Sequence, residues 1–377
     1  MTAAYFVYNL SLFALFFSWA IAGGRQRSLN NLPFDRYLAL ALVSVLFYAL
    51  VFGLRYKVGI DYEAYQDYYD SFNFRLTASE VPYEIGFYWL IFFLKSLELP
   101  AFSLFVVTCA MQMGFMAVWL RRYSFVAPWF FFFFFTNLFL LESLNGIRQA
   151  LAFSILLNAL PVLFERRFFL YVGIVFLASL FHASALVFFP LYFFANKNLF
   201  PKASVQVGLL LLAYVTAPIV KDFLIDVLPF LATISGYEHY SELQDDLFFG
   251  GDSGFGLGNA FAFFVNLTVI SFSKRLRERY SGRGFDCYYN LFFIGSLLSP
   301  SVYLAKYLLL ARLLWYFTGL KFVILAFLCA YLFSIKSKGM KKGAIIGLVL
   351  MTLYYIWFML AISNGAGASA PYVFVFE

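Results

Sequence analysis

Charge, histidine and cysteine are what this 377-residue chain has least of. Only 12% of its residues are charged, against about 25% in a soluble domain. That is too little to cover a water-facing surface, so an ordinary multidomain soluble protein is excluded. Few charges combined with many aromatics also exclude a disordered chain. The three cysteines, Cys109, Cys287 and Cys329, stand far apart, which leaves neither a disulfide framework nor a metal cluster. Two histidines, His182 and His239, are too few for a histidine-rich metal site. No GxGxxG, P-loop, GxSxG or HExxH pattern occurs, so soluble nucleotide chemistry has no visible seat. Neither a metal nor a cofactor is expected, and no internal repeat is visible.

What the chain has in abundance is apolar and aromatic: 63% hydrophobic, with 53 Phe, 27 Tyr and 6 Trp. A membrane-crossing helix needs about 20 apolar residues. Such runs lie at 5–22, 37–54, 100–120, 124–141, 146–164, 203–220, 256–273, 285–299, 319–334 and 343–362. The apolar run between Arg167 and Lys197 is long for one helix and short for two, and it splits at His182. The sum is an all-α polytopic membrane protein with about 12 spans (10 to 14). The segment 86–97 is apolar but short, hence re-entrant or interfacial. The six-Phe run at 130–135 reads as a lipid-facing surface. Ala20-Ile21-Ala22 resembles a signal-peptidase site, but Arg25 and Arg27 follow the first run and no cation precedes it. That order predicts a retained helix with its N-terminus outside.

Net charge is +7. Here it reads as the cation excess of cytoplasmic loops rather than a nucleic-acid surface. The loops assigned inside hold 18 of the 27 cations but only Asp35, Glu165, Glu278 and Asp286 among the 20 acids. Both termini then fall outside. Two external loops are long, 55–83 and 221–255, with room for short interfacial helices. No linker composition divides the chain, so residues 1–377 are taken as one transmembrane domain.

Ionisable groups at membrane depth are expensive, which makes each a candidate functional residue. Arg55 ends the second span and precedes Gly59, Asp61 and Tyr62, where the glycine permits a turn back toward the arginine; the alternative is an ordinary snorkelling arginine. Glu84 opens the short segment, as a reactive carboxylate or as a helix cap. Asn145-Gly146-Ile147-Arg148-Gln149 starts a span from the outer side, where free backbone N–H groups and an arginine suit an anion. The alternative is pairing of Arg148 with Glu142. His182 stands between two short helices among small residues, as a base or as a packing group. Tyr237, His239 and Tyr240 cluster in the second loop, as sugar contacts or an aromatic belt. Arg312, near Lys306, Trp315 and Tyr316, suits a phosphorylated sugar or a headgroup belt.

Taken in order, Arg55, Gly59-Ile60-Asp61-Tyr62, Tyr65, Glu84-Ile85-Gly86-Phe87, Asn145 to Ala152, His182-Ala183-Ser184-Ala185, Arg312 with Tyr316-Phe317, and Pro371-Tyr372 resemble the EpsG family of Wzy-type exopolysaccharide and O-antigen polymerases. Ile60 stands where the family typically has threonine. The resemblance implies a GT-C-like helical fold in the bacterial inner (cytoplasmic) membrane. It implies an enzyme joining undecaprenyl-pyrophosphate-linked repeat units on the periplasmic side. A chain-length regulator and a flippase are the implied partners, with membrane lipids around it.

The residues suit such a lipid-linked diphosphate sugar. Arg148 and Arg312 are expected to clamp the donor diphosphate, with Arg55 assisting or orienting Asp61. The candidate bases on the acceptor hydroxyl are Asp61, His182 and Glu84. Tyr62, Tyr65, Gln149, Tyr237, His239, Tyr240 and Tyr316 are the candidate sugar contacts. Guanidinium groups would stabilise the leaving charge with no metal required. Two alternatives stand beside the polymerase: another GT-C-type transferase or glycan ligase using polyprenyl-phosphate sugars, and a lipid-linked oligosaccharide flippase or transporter. Transport sites favour midplane broken helices and internal repeats.

Overall fold

A computed structural model describes residues 2–25, 33–75, 77, 83–195, 197–235, 256–305, 308–334 and 340–376. Among these residues the chain is helical, and its single strand-like feature is an isolated antiparallel bridge between Arg55 and Phe374. Contacts divide it into two compact units, Met1–Phe189 with Leu325–Glu377, and Pro190–Ile324.

In the first unit α1 (Thr2–Arg25) shows how the pattern works. Ala4, Tyr8, Leu12, Leu15 and Trp19 are buried, while Phe6, Leu10, Phe13, Phe17 and Ile21 are exposed. Both sets recur in steps of three and four, so one face packs on protein and the other stays apolar and uncovered. Helix α2 (Phe34–Gly53) repeats this design, and Trp19 donates to Ser44 across the pair at 3.1 Å. After α2 come two short helices, α3 (Tyr62–Asp70) and α4 (Ile85–Ser96), then α5 (Phe102–Arg122).

Helix α6 (Ala127–Thr136) corrects an expectation. All six phenylalanines of 130–135 are buried rather than lipid-facing. They meet aromatic rings on every side: Trp119 at Phe130, Trp19 at Phe131, Phe16 at Phe132, Tyr354 at Phe133, Tyr48 at Phe134 and Phe358 at Phe135. A helix apolar all round is a core helix, and surrounding spans supply the lipid surface. Leu138, in the left-handed region at φ 64°, ends it. The chain turns by 63° into α7 (Phe139–Asn145). Then follow α8 (Ile147–Leu157), α9 (Ala159–Phe164) and α10 (Phe168–Ser179). A 3₁₀ stretch, Ala183–Phe193, comes after a break that falls at His182, where sequence placed it.

The second unit holds α11 (Ala203–Ser235), α12 (Leu257–Tyr280), α13 (Phe285–Ala305) and α14 (Leu308–Thr318). Helix α11 runs past residue 220, so the second long loop begins later than expected. A buried polar seam in this unit starts from α13, where Asn290 donates to the carbonyls of Ala195 and Lys197 at 2.7 and 2.5 Å. Arg277 meets Asp286 at 2.9 Å and lies 4.5 Å over Tyr289. Helices α15 (Leu320–Ser334) and α16 (Met340–Ser363) complete the chain.

Eight helices among the described residues are long and apolar enough to cross a membrane, nine if the bent 124–145 pair is one span. This is a multi-pass membrane protein. The count falls below the expected twelve at three places. Residues 168–179 and 183–193 form helices of only 12 and 11 residues. Helix α13 carries Asp286, Tyr288, Tyr289 and Asn290 in its first turns, which lowers its apolarity.

Candidate active site

Just beyond α2 the chain makes a tight corner around Arg55. The side chain is wholly buried. Its Nε donates to Val58 O at 2.9 Å, Nη1 to Phe52 O at 2.6 Å and Nη2 to Leu144 O at 2.9 Å. The guanidinium lies 4.9 Å from the Phe105 ring and 5.8 Å from that of Tyr62. Gly59, at φ 108°, turns the chain here in a conformation that L side chains avoid. A Cβ there would come within 3.1 Å of both Asn145 Oδ1 and Leu144 O. A turn is therefore present at Gly59, and the residue that follows it toward Arg55 is Tyr62, whose ring stacks on Phe105 at 4.3 Å. Arg55 has no face open to a ligand in this conformation.

Asn145 ties the corner to its surroundings. Its Oδ1 accepts the Ile60 N–H, and its Nδ2 donates to Leu141 O at 3.1 Å and Gly367 O at 3.4 Å. The Gly59 N–H donates to Ala368 O at 3.1 Å. Further along the same tail, the Tyr56 N–H donates to Val373 O at 2.8 Å and the Val375 N–H to Leu54 O at 2.9 Å. Tyr372 donates to Val51 O at 2.6 Å. Asp61, half-buried, heads α3.

Three of the sequence motifs converge at Arg148. This residue sits in the first turn of α8, whose Ile147 carbonyl accepts from Gln112 on α5 at 3.1 Å. Its guanidinium lies 4.4 Å over the Tyr83 ring and 5.7 Å from Phe87. The Tyr65 phenol is a hydrogen-bond partner. The carboxylate that meets it is Glu84, through Nη1 and Oε2, with side chains 11% and 19% exposed. The other Glu84 oxygen, Oε1, accepts the Ala183 N–H at 3.0 Å. That amide directly follows His182, whose Nδ1 lies 2.6 Å from Ser184 Oγ. Glu84 thus joins the Arg148 helix to the His182 break.

Around this cluster Tyr62, Tyr65 and Tyr69 point inward from α3, and Tyr68 packs edge-on to Tyr83 at 4.3 Å. Burial lifts the Tyr62 and Tyr68 phenols above their ordinary value, opposed by the charges of Arg55 and Arg148 respectively. They remain neutral hydroxyl donors at pH 7. Among the described residues, neither Arg148 Nε nor the Tyr68 hydroxyl, both buried, has a hydrogen-bond partner. The cluster therefore offers a cation at a helix N-terminus, an unused buried donor, aromatic faces and a nearby imidazole. That set can bind an anion and move a proton.

Gln149 is buried in α8. Arg312 and Tyr316 lie in α14 of the second unit, Tyr316 fully buried and edge-on to Trp315. Tyr237, His239, Tyr240 and Lys306 lie outside the described residues.

A family model, that of the EpsG family, matches residues 38–374. The chain belongs to the EpsG family. This is a Wzy-type polymerase family, and membership points to a polysaccharide polymerase of glycosyltransferase type. The match spans Arg55, Glu84, Arg148, His182 and Arg312 alike. Neither a curated protein nor a solved structure matches the chain. Sequence reading of this EpsG member missed Tyr83 as the ring beneath Arg148 and Asn145 as the knot behind Arg55. An aromatic directly before Glu84 was the available signal for the first. For the second, only the position of Asn145 ahead of Gly146 hinted at a turn.

Proposed function

We propose that this EpsG-family protein is a polysaccharide polymerase of the bacterial inner membrane. It transfers a growing glycan from an undecaprenyl-pyrophosphate donor to a sugar hydroxyl of a lipid-linked repeat unit, on the periplasmic side. In this reading the fold is of GT-C type. The short helices of 168–193 and α13 complete a set of about twelve membrane segments. A flippase delivers the repeat units and a chain-length regulator limits the product.

The observation that supports it is the buried arginine at the start of α8, ringed by tyrosines and tied to the His182 break. Arg148 takes the donor diphosphate. His182, its Nδ1 engaged by Ser184, receives the acceptor hydroxyl proton at Nε2. The acceptor oxygen bonds to the anomeric carbon while the bond from that carbon to the diphosphate oxygen breaks. The lipid diphosphate leaves with the electron pair, its charge held by guanidinium groups, and the step is written without a metal. Asp61 stands as the alternative base.

Cells carrying Arg148→Ala test this. Long polymer should vanish while single lipid-linked repeat units collect on the outer leaflet. Persistent long chains would overturn the clamp. Repeat units collecting inside would mark a flippase, and a normal product of one size a ligase or single-transfer enzyme.

A further inference from the structure

The first turn of α4 grips both sides of His182. Glu84 Oε1 accepts the Ala183 N–H at 3.0 Å, and the Gly86 N–H donates to Leu180 O at 2.8 Å. The helix breaks between Ser179 and Ala183, and a break at membrane depth leaves backbone groups that need partners from elsewhere in the protein. Helix α4 supplies two. The approach is so close that a Cβ on Gly86 would stand 2.7 Å from Leu180 O and 2.9 Å from Leu180 Cβ. The second Glu84 oxygen meanwhile meets Arg148. Both carboxylate oxygens are therefore engaged, one on each of the two elements that carry the chemistry.

We propose that residues 84–86 are a splint, and that Glu84 is a positioning residue fixing the separation between the Arg148 guanidinium and the His182 imidazole. Glu84 accepts no proton from substrate. Its charge aims Arg148, its other oxygen holds the backbone beside His182, and Gly86 sets the depth at which α4 seats. The reaction so served rests on the polymerase reading above, whereas the splint itself is a property of the fold. A misplacement of about 1 Å in such a site lowers turnover by around a hundredfold.

The full chain in lipid nanodiscs, labelled on histidine with ¹³C and ¹⁵N, provides the test. With two histidines in the sequence, the His182 ring signals are assigned by their loss in His182→Gln. Glu84→Ala and Gly86→Ala should each shift those signals, and Glu63→Ala, at an exposed pair with Lys57, should not. Turnover of undecaprenyl-diphosphate-linked repeat units should fall about a hundredfold in Glu84→Ala. Glu84→Gln, which keeps an acceptor for the Ala183 N–H, should fall less, with the limbs of the pH profile unmoved. Unshifted His182 signals in Glu84→Ala would overturn the splint. So would a pH limb that disappears in Glu84→Gln, because that marks Glu84 as the base. Shifted signals in a wild-type protein that fails to turn over the repeat units would sink the polymerase reading and leave the splint standing. Should Gly86→Ala fail to give a monodisperse protein, Glu84→Ala carries the test alone.

Discussion

Arg55 and Arg148 are both buried, both stacked on aromatic rings and both placed at a helix end, yet they are partnered in opposite ways. Arg55 directs its donors at three backbone carbonyls, those of Phe52, Val58 and Leu144. Carbonyls of three chain segments cannot leave unless the corner unfolds. Arg148 meets a side-chain carboxylate and a phenol, and its Nε makes no hydrogen bond among the described residues. With Nη1 held by Glu84, the buried Nε is a donor left for a phosphate oxygen. Arg55 is wholly buried and Arg148 largely so, and the partner more than the depth separates a fastener from a binding group.

Substitutions can break or sharpen this contrast. The largest effect is expected at Arg148. Arg148→Ala should lower polymerisation by at least about 10²-fold, with a smaller loss of thermal stability than Arg55→Ala gives. Arg148→Lys should recover little, since an ammonium lacks the fork. Arg55→Ala should do the reverse. It strands three buried carbonyls, and the stability loss is on the order of 4 kcal/mol, read as a lowered unfolding midpoint in detergent. A folded Arg55→Ala protein that binds donor lipid poorly would erase the distinction. Asn145→Ala removes a link that Arg55 shares with the tail, for about 2 kcal/mol. Tyr372→Phe deletes one hydroxyl bond to Val51 O, for about 1 kcal/mol. Lys57→Ala should change neither stability nor product. Glu63 lifts the Lys57 ammonium above its ordinary value, so that contact is present at pH 7 and lost as pH rises through the lysine value, but both partners are exposed.

Much of this was readable from residue order because apolar runs and charge placement are local signals. The break at His182, the short helix after Glu84 and the turn at Gly59 all follow from run length and backbone chemistry. What sequence could not show is which way a side chain faces. Six phenylalanines in a row look the same whether lipid or protein covers them, and here α6 is enclosed by α1, α5 and α16 rings. An arginine at a span end looks the same whether it reaches headgroups or carbonyls. Arg148 has Glu142 six residues before it, whereas the carboxylate it meets comes from α4. Pairings between distant segments depend on packing, which no local pattern carries. Run length alone also does not fix the number of spans, because apolarity marks a segment as buried in something, and protein serves as well as lipid.

The tail that closes the Arg55 corner comes from residues 367–376, while the corner itself comes from 51–60. A nascent chain emerging N-terminus first therefore carries an unfinished corner until every helix between these two segments has been made. Completion of the corner follows that of the segments between, and quality control that samples early helices would not detect a defect in the closing strap.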